Sequence, residues 1–165
     1  MASSRQASAK EAARVVILLG SKSDLPVIEG MYPLLDRFGL SYRVEVASAH
    51  RQPEKLRRIV KQTEKTGAQV YVAAAGMAAH LPGVVASMTG KPVIGVPVAA
   101  GPLAGVDALL SIVQMPPGVP VATVAVGSAG ARNAACLAAR MIALADNKVA
   151  AAVAEYRTEL ARGGR

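Results

Sequence analysis

A doubly wound, parallel α/β sandwich is the fold this chain predicts, and three features predict it. Apolar runs of strand length alternate with helical patterns from about residue 14 to 145, the order that gives parallel strands joined by crossover helices. The first run, Val15–Leu19, is apolar without a break, as a central strand covered on both faces must be. The 165 residues are 52% hydrophobic and 18% charged, which supplies a core for a single domain and excludes disorder.

Each element follows from its own signals. Residues 1–13 are small and polar without periodicity and read as a mobile tail. Residues 14–145 form the α/β domain, and 146–165 add a C-terminal helix. After the first strand, Gly20-Ser21-Lys22-Ser23-Asp24 is a turn into a helix with Asp24 as N-cap and Pro26 in its first turn. That helix is expected to reach Phe38 and stop at Gly39. A strand over 41–47 precedes a helix over 53–66. In that helix Leu56, Ile59, Val60 and Thr63 share one face, Arg57, Arg58 and Lys61 face outward, and Gly67 ends it. A third strand spans 69–74, a short helix 84–88, a fourth strand 92–98, a helix 106–114, a fifth strand 121–126, and an alanine-rich helix 129–145. In the last helix Val149, Val153, Tyr156 and Leu160 form one stripe. It either docks across a subunit boundary or closes over its own domain.

Composition removes several function classes. The run 15–19 is too short for a signal-peptide core and lacks a cleavage pattern. No segment reaches membrane-spanning length without glycine, proline or charge. The single cysteine, Cys136, lies in an alanine-rich helical pattern and reads as a buried, inert thiol in a reducing, cytoplasmic setting. The net charge of +8 is scattered over outer helices and tails, and one phenylalanine, four tyrosines and no tryptophan offer little for stacking bases. A small phosphorylated ligand fits the excess charge at least as well. Between residues 67 and 145 the only Asp, Glu, Lys or Arg are Lys91, Asp107, Arg132 and Arg140. So little charge on outer helices points to burial against other copies of the chain.

Two turns concentrate the chemistry. Ser48-Ala49-His50-Arg51-Gln52-Pro53 follows the second strand, and a turn at the carboxyl end of a strand is where open α/β sheets place ligand contacts. The turn at 20–24 offers Gly20 for close backbone approach, the Ser21 and Ser23 hydroxyls, and a helix start for a phosphate, with Asp24 available to ribose hydroxyls. Neither the Walker spacing nor a GxGxxG fingerprint is present, and Gly90-Lys91-Pro92 only mimics the former. Two histidines and one cysteine give no metal-ligand spacing, and no GxSxG nucleophile elbow occurs. One imidazole, His50, remains for proton transfer. His80, in the apolar context Ala78-Ala79-His80-Leu81-Pro82-Gly83, reads as a loop-ordering residue satisfied by backbone groups.

Taken together, the turns at 20–24 and 46–51, the stretch Ala75-Gly76-Met77-Ala78-Ala79-His80-Leu81-Pro82-Gly83 and Ser111-Ile112-Val113-Gln114-Met115-Pro116 closely resemble the N5-carboxyaminoimidazole ribonucleotide mutases, the catalytic subunit family of phosphoribosylaminoimidazole carboxylase. The resemblance runs from about residue 14 to 145. It implies a flavodoxin-like three-layer α/β/α sandwich, a homo-octamer, no metal or organic cofactor, and a ribonucleotide substrate, with neither nucleic acid nor membrane as partner. The family has a mutase branch and a branch that carboxylates aminoimidazole ribonucleotide directly; the stretch at 78–83 resembles the mutase branch. Met77 stands where a second glycine is usual, and Gln52 where threonine is common. Carried over by position, Ser21, Asp24 and Arg51 hold the ribose phosphate, with Gly20 and Ser23 beside them. Ser48, Ala49, Ala75, Gly76 and Leu81 line the base and carboxylate pocket, Met77 and His80 border it, and His50 is the sole general acid/base. A non-enzymatic nucleotide-binding module of the same fold is the more distant alternative.

Overall fold

The computed structural model describes residues 12–164. Apart from Ala12 and Ala13, the expected tail lies outside the described residues. Ala13 is buried, and the Ala12 carbonyl accepts a hydrogen bond from the Ser41 hydroxyl.

Five parallel strands stand in the order β2-β1-β3-β4-β5: β1 Val15–Leu19, β2 Tyr42–Val46, β3 Val70–Gly76, β4 Val93–Val98 and β5 Ala122–Thr123. Successive side chains of a strand point to opposite faces, and the core divides accordingly. Val15, Ile17 and Leu19 of β1 belong to one buried cluster, Val16 and Leu18 to the other. The first cluster holds α1 (Leu25–Ile28), α2 (Tyr32–Arg37), α6 (Gly127–Ala143) and α7 (Asn147–Ala161). The second holds α3 (Pro53–Lys65), α4 (Leu81–Ala86) and α5 (Val106–Val113). The sheet is thus covered on both faces, as a wholly parallel sheet requires.

Four local expectations need correction. The single helix expected from Asp24 to Phe38 is broken into a 3₁₀ turn at Lys22–Asp24, α1, a second 3₁₀ turn at Glu29–Met31, and α2. Pro33 has no N–H for the Glu29 carbonyl, so one continuous α-helix cannot form there. Asp24 is not the side-chain N-cap of α1; Ser21 caps the preceding turn instead. The fourth helix begins at Leu81 rather than 84, because Pro82 falls in its first turn, where a missing N–H costs nothing. The fifth strand keeps only two ladder residues. The Gly95 carbonyl accepts from the Val124 amide at 3.1 Å, but two residues on, along the same edge, Pro97 has no N–H to extend the ladder.

Helix α7 is N-capped by Asp146, whose carboxylate accepts from the Lys148 and Val149 amides at 3.0 and 3.2 Å and pairs with Arg14 at 2.8 Å. These bonds hold the Asp146 carboxyl below its ordinary 3.8, the Val149 amide first and the Arg14 side chain second. Within the chain the stripe closes over its own domain. Val149 is buried, Val153 and Tyr156 pack on the first cluster, and Tyr156 meets Phe38 edge-on at 5.5 Å. Leu160 stays exposed. Cys136 is half-buried, and burial pushes its thiol up despite the nearby Arg140 and Arg132.

Candidate active site

A cleft of about 470 Å³ opens beyond the carboxyl ends of β1, β2 and β3. In the strand order 2-1-3-4-5 the chain reverses direction across the sheet between β1 and β3, the place where such sheets bind ligands. All thirteen residues singled out from the sequence line this cleft.

The turn after β1 contributes Gly20, Ser21, Ser23 and Asp24. It is held by a reciprocal capping box. The Ser21 hydroxyl oxygen accepts from the Ser23 amide at 3.3 Å, and Asp24 Oδ2 accepts from the Ser21 amide at 3.0 Å. The Ser23 hydroxyl donates to Ser21 Oγ at 2.8 Å. Asp24 is only 6% exposed. Burial raises its carboxyl above the ordinary 3.8, while the Ser21 amide and Ser23 hydroxyl pull it partly back.

The turn after β2 contributes Ser48, Ala49, His50 and Arg51. Ser48 Oγ accepts from the Arg51 amide at 3.2 Å, and its carbonyl from the Gln52 amide at 2.8 Å. Lys55, one turn into α3, donates to the Val46 carbonyl at 2.8 Å. The turn is therefore tied at both ends before any ligand arrives. Among the described residues no carboxylate pairs with Arg51, and its exposed guanidinium is open to a phosphate.

The loop after β3 contributes Ala75, Gly76, Met77, Ala78, His80 and Leu81. A Cβ on Gly76 would stand 2.7 Å from Ala100 Cβ and 3.1 Å from the Val98 carbonyl oxygen, so only glycine fits there. Met77 then adopts φ +56°, a left-handed conformation that costs a non-glycine residue about 1–2 kcal/mol. The Ala79 amide donates to the Met77 carbonyl and the His80 amide to the Ala78 carbonyl, both at 2.8 Å.

These turns bring the two histidines together. His50 Nε2 lies 2.7 Å from His80 Nδ1, with the rings edge to face at 81° and centroids 4.8 Å apart. His80 is therefore not a loop-ordering residue satisfied by backbone groups; its side-chain partner is the other imidazole. One facing nitrogen donates and the other accepts, the direction being set by the tautomers. The contact holds the two rings in a fixed mutual orientation.

Sequence reasoning missed two lining residues, Ala78 and Ala100. Ala100 follows β4, which pairs with β3 through Gly76↔Val98. The signal available was positional: the strand next to the switch point also presents its carboxyl end to the ligand.

The cleft therefore gathers an imidazole pair, a serine- and aspartate-bearing turn and an exposed arginine, and comparison with known proteins identifies the family that the chain belongs to. Residues 14–163 match the family described as AIR carboxylase. The chain belongs to that family. It is 48% identical over 149 residues to the N5-carboxyaminoimidazole ribonucleotide mutase of Thermotoga maritima, covering 90% of this chain and 86% of the relative. Against the mutase of the same name from Methanocaldococcus jannaschii it is 52% identical, covering 88% and 89%. For the Escherichia coli mutase the figures are 48%, 88% and 86%. Among solved structures, Treponema denticola PurE superposes with a TM-score of 0.83 at 32% identity, covering 90% of this chain and 92% of that one. The fold expectation, a flavodoxin-like three-layer sandwich, is thereby met by both topology and superposition.

Proposed function

We propose that this AIR carboxylase family member converts N5-carboxyaminoimidazole ribonucleotide to 4-carboxy-5-aminoimidazole ribonucleotide, the mutase step of purine (IMP) biosynthesis. The observation that carries the reading is the His50–His80 pair at 2.7 Å inside the cleft. It stands in a chain about half identical to relatives named for that reaction.

The chemistry needs two proton transfers, one to the exocyclic nitrogen and one from carbon 4. His50 protonates the exocyclic nitrogen as its bond to the carboxylate carbon breaks, leaving aminoimidazole ribonucleotide and carbon dioxide. Carbon 4 of the imidazole attacks the carbon dioxide, and the new C–C bond leaves carbon 4 with both a hydrogen and a carboxylate. His50, now unprotonated, removes that hydrogen as a proton, and aromaticity returns. No net proton or electron is gained, so a single acid/base suffices. Ser21, Ser23, Asp24 and Arg51 anchor the ribose phosphate, and Gly20 allows the close approach. Ser48, Ala49, Ala75, Gly76 and Leu81 surround the base and carboxylate. Small side chains let the walls close and exclude water while carbon dioxide is free.

The decisive experiment is His50→Asn. Isomerisation should fall by roughly 10²–10⁴-fold while substrate binding and far-UV circular dichroism stay as in the parent. Near-normal turnover would end the proposal. Incubating each candidate substrate separately, with and without bicarbonate, distinguishes isomerisation from direct carboxylation. Product from aminoimidazole ribonucleotide at physiological bicarbonate, with none from the carbamate, would favour the latter.

Assembly into a homo-octamer in the cytoplasm belongs to the same reading. Its support is the apolar face left uncovered in the single chain. Val106, Leu110 and Val113 of α5, with Leu103 just before it, are exposed, a concentration of large apolar side chains that a lone subunit would not keep in water. The exposed end of α7 at Leu160 is part of the surface assigned to neighbouring subunits.

A further inference from the structure

We propose that Met115, just past the end of α5, positions His80 in the cleft by bearing on the first turn of α4. The inference deepens the mutase reading and rests on it for its effect on turnover.

The stretch Ser111-Ile112-Val113-Gln114-Met115-Pro116 carries part of the family resemblance, yet none of its residues lines the cleft. Its contacts run instead to the residues that follow His80. Ile112 is buried in the second core cluster. A Cβ on Gly95 of β4 would stand 2.4 Å from Ile112 Cγ2 and 3.3 Å from Pro82 Cβ, so α5 and α4 lean on the same side-chain-free spot of the sheet. Met115 reaches α4 directly. A Cβ on Gly83 would meet its Sδ at 2.9 Å and its Cε at 3.1 Å. The thioether therefore sits where a side chain at 83 would be, against the backbone of α4. Its own backbone is tied to α5, the Met115 amide donating to the Val113 carbonyl at 3.0 Å.

This contact matters because α4 cannot place itself. It spans only Leu81–Ala86, too short to persist as a helix on its own, so its position is set by what it packs on. His80 stands at its N-cap, where no side chain caps the end, and its carbonyl accepts from the Val84 amide at 2.9 Å. Where α4 goes, His80 goes. The His80 ring in turn meets His50 Nε2 at 2.7 Å, and a hydrogen bond weakens steeply as its length and angle depart from the optimum. Close-packed interiors pass displacements on rather than absorb them. Without the thioether, the first turn of α4 settles into the vacated space and draws His80 off His50. An unbranched thioether suits the seat, since it fills an irregular gap over glycine that a branched side chain would not.

Three variants test the inference. Met115→Ala empties the seat on Gly83, and Met115→Leu refills most of it at similar volume. Ile142→Val, in α6 on the opposite face of the sheet, is a control for lost packing alone. The chain holds only two histidines, so isotope-labelled histidine in untagged protein reads both rings of the pair by NMR, beside steady-state kinetics with N5-carboxyaminoimidazole ribonucleotide. Met115→Ala should move the imidazole nitrogen signals of both rings and lower kcat on the order of 10-fold, with KM within about two-fold of the parent. Met115→Leu should recover both readouts, and Ile142→Val should lower Tm while moving neither. Parent-like ring signals in Met115→Ala overturn the positioning role, as do moved signals with a parent-like kcat, no recovery in Met115→Leu, or an equal shift in Ile142→Val. A parent that does not convert the substrate overturns the mutase reading. A parent that converts it, with ring signals unmoved in Met115→Ala, overturns this inference alone.

Discussion

The two histidine-bearing segments of the cleft are built on opposite principles. The turn at 48–51 is assembled from polar bonds. Ser48 receives two amides, Lys55 holds the Val46 carbonyl, and the Gln52 carbonyl accepts from the Leu56 amide at 3.1 Å as α3 begins. The loop at 76–80 is tied backbone to backbone at Ala79 and His80, and its path is set by packing: Gly76 beneath Ala100, a strained Met77, and Ala79 and Leu81 driven into the core. Polar anchoring sets the turn's geometry locally and without strain. Packing sets it through residues distant in sequence, and can hold a backbone that the residue itself would not choose. His50 sits on the first kind, and His80 on the second.

Breaking the histidine contact from its packed side should have the largest effect after loss of His50 itself. Replacing His80 with asparagine removes the hydrogen bond to the His50 ring, and, on the proposed role of His50, turnover should fall about 10–100-fold, with KM changing much less. The check is a steady-state comparison with His50→Asn. Equal losses in the two variants would show that His80 is more than a positioning partner.

Next comes the packing beneath that loop. Gly76→Ala forces a Cβ to within 2.7 Å of Ala100 Cβ and should destabilise the fold by roughly 1–3 kcal/mol, read from the urea midpoint. Ser48→Ala in the polar turn loses one side-chain bond, that from the Arg51 amide, and about 0.5–1.5 kcal/mol is expected. If the two variants cost the same, the contrast between the segments fails.

The uncovered helix gives a third test. Leu110→Lys on the exposed face of α5 should leave far-UV circular dichroism unchanged while shifting the mass measured by light scattering toward smaller species. An unchanged mass would remove α5 from the interface.

The smallest effect concerns the far end of the domain. The Asp146 carboxyl is held below its ordinary value in the folded chain, so the unfolded chain takes up the proton first as pH falls. Its stabilisation is therefore complete above about pH 4, the range where the unfolded carboxyl ionises, and is lost as pH drops through the lower folded value. Asp146→Ala should lower Tm at pH 7, and its deficit relative to the parent should shrink as pH falls through the carboxyl's lowered range. Asp24 has the opposite sign. Its raised carboxyl works against folding once pH climbs through the ordinary value and the folded one above it. Asp24→Asn, which keeps an acceptor for the Ser21 amide, should therefore gain more Tm relative to the parent at pH 7 than at pH 3.

Much of this was legible in the residues. Alternating apolar runs and helical stripes specify a parallel sandwich because each element's periodicity states which face is buried. The buried set Leu56, Ile59, Val60 and Thr63 on α3 was readable for that reason. Serine, aspartate, histidine and arginine at strand ends marked the cleft, since hydrogen-bonding side chains in tight turns act over a few residues. Pro33 and Pro97 also stood in the sequence, but their consequences depended on which carbonyl or neighbouring strand each would have served. What tertiary structure alone decided is the meeting of His50 with His80, thirty residues apart, and the strained backbone of Met77 next to Gly76, which is pressed against Ala100. No local pattern encodes either one. Both arise because β3 lies beside β1 and β4 in the finished sheet, and that adjacency brings three loops to one opening.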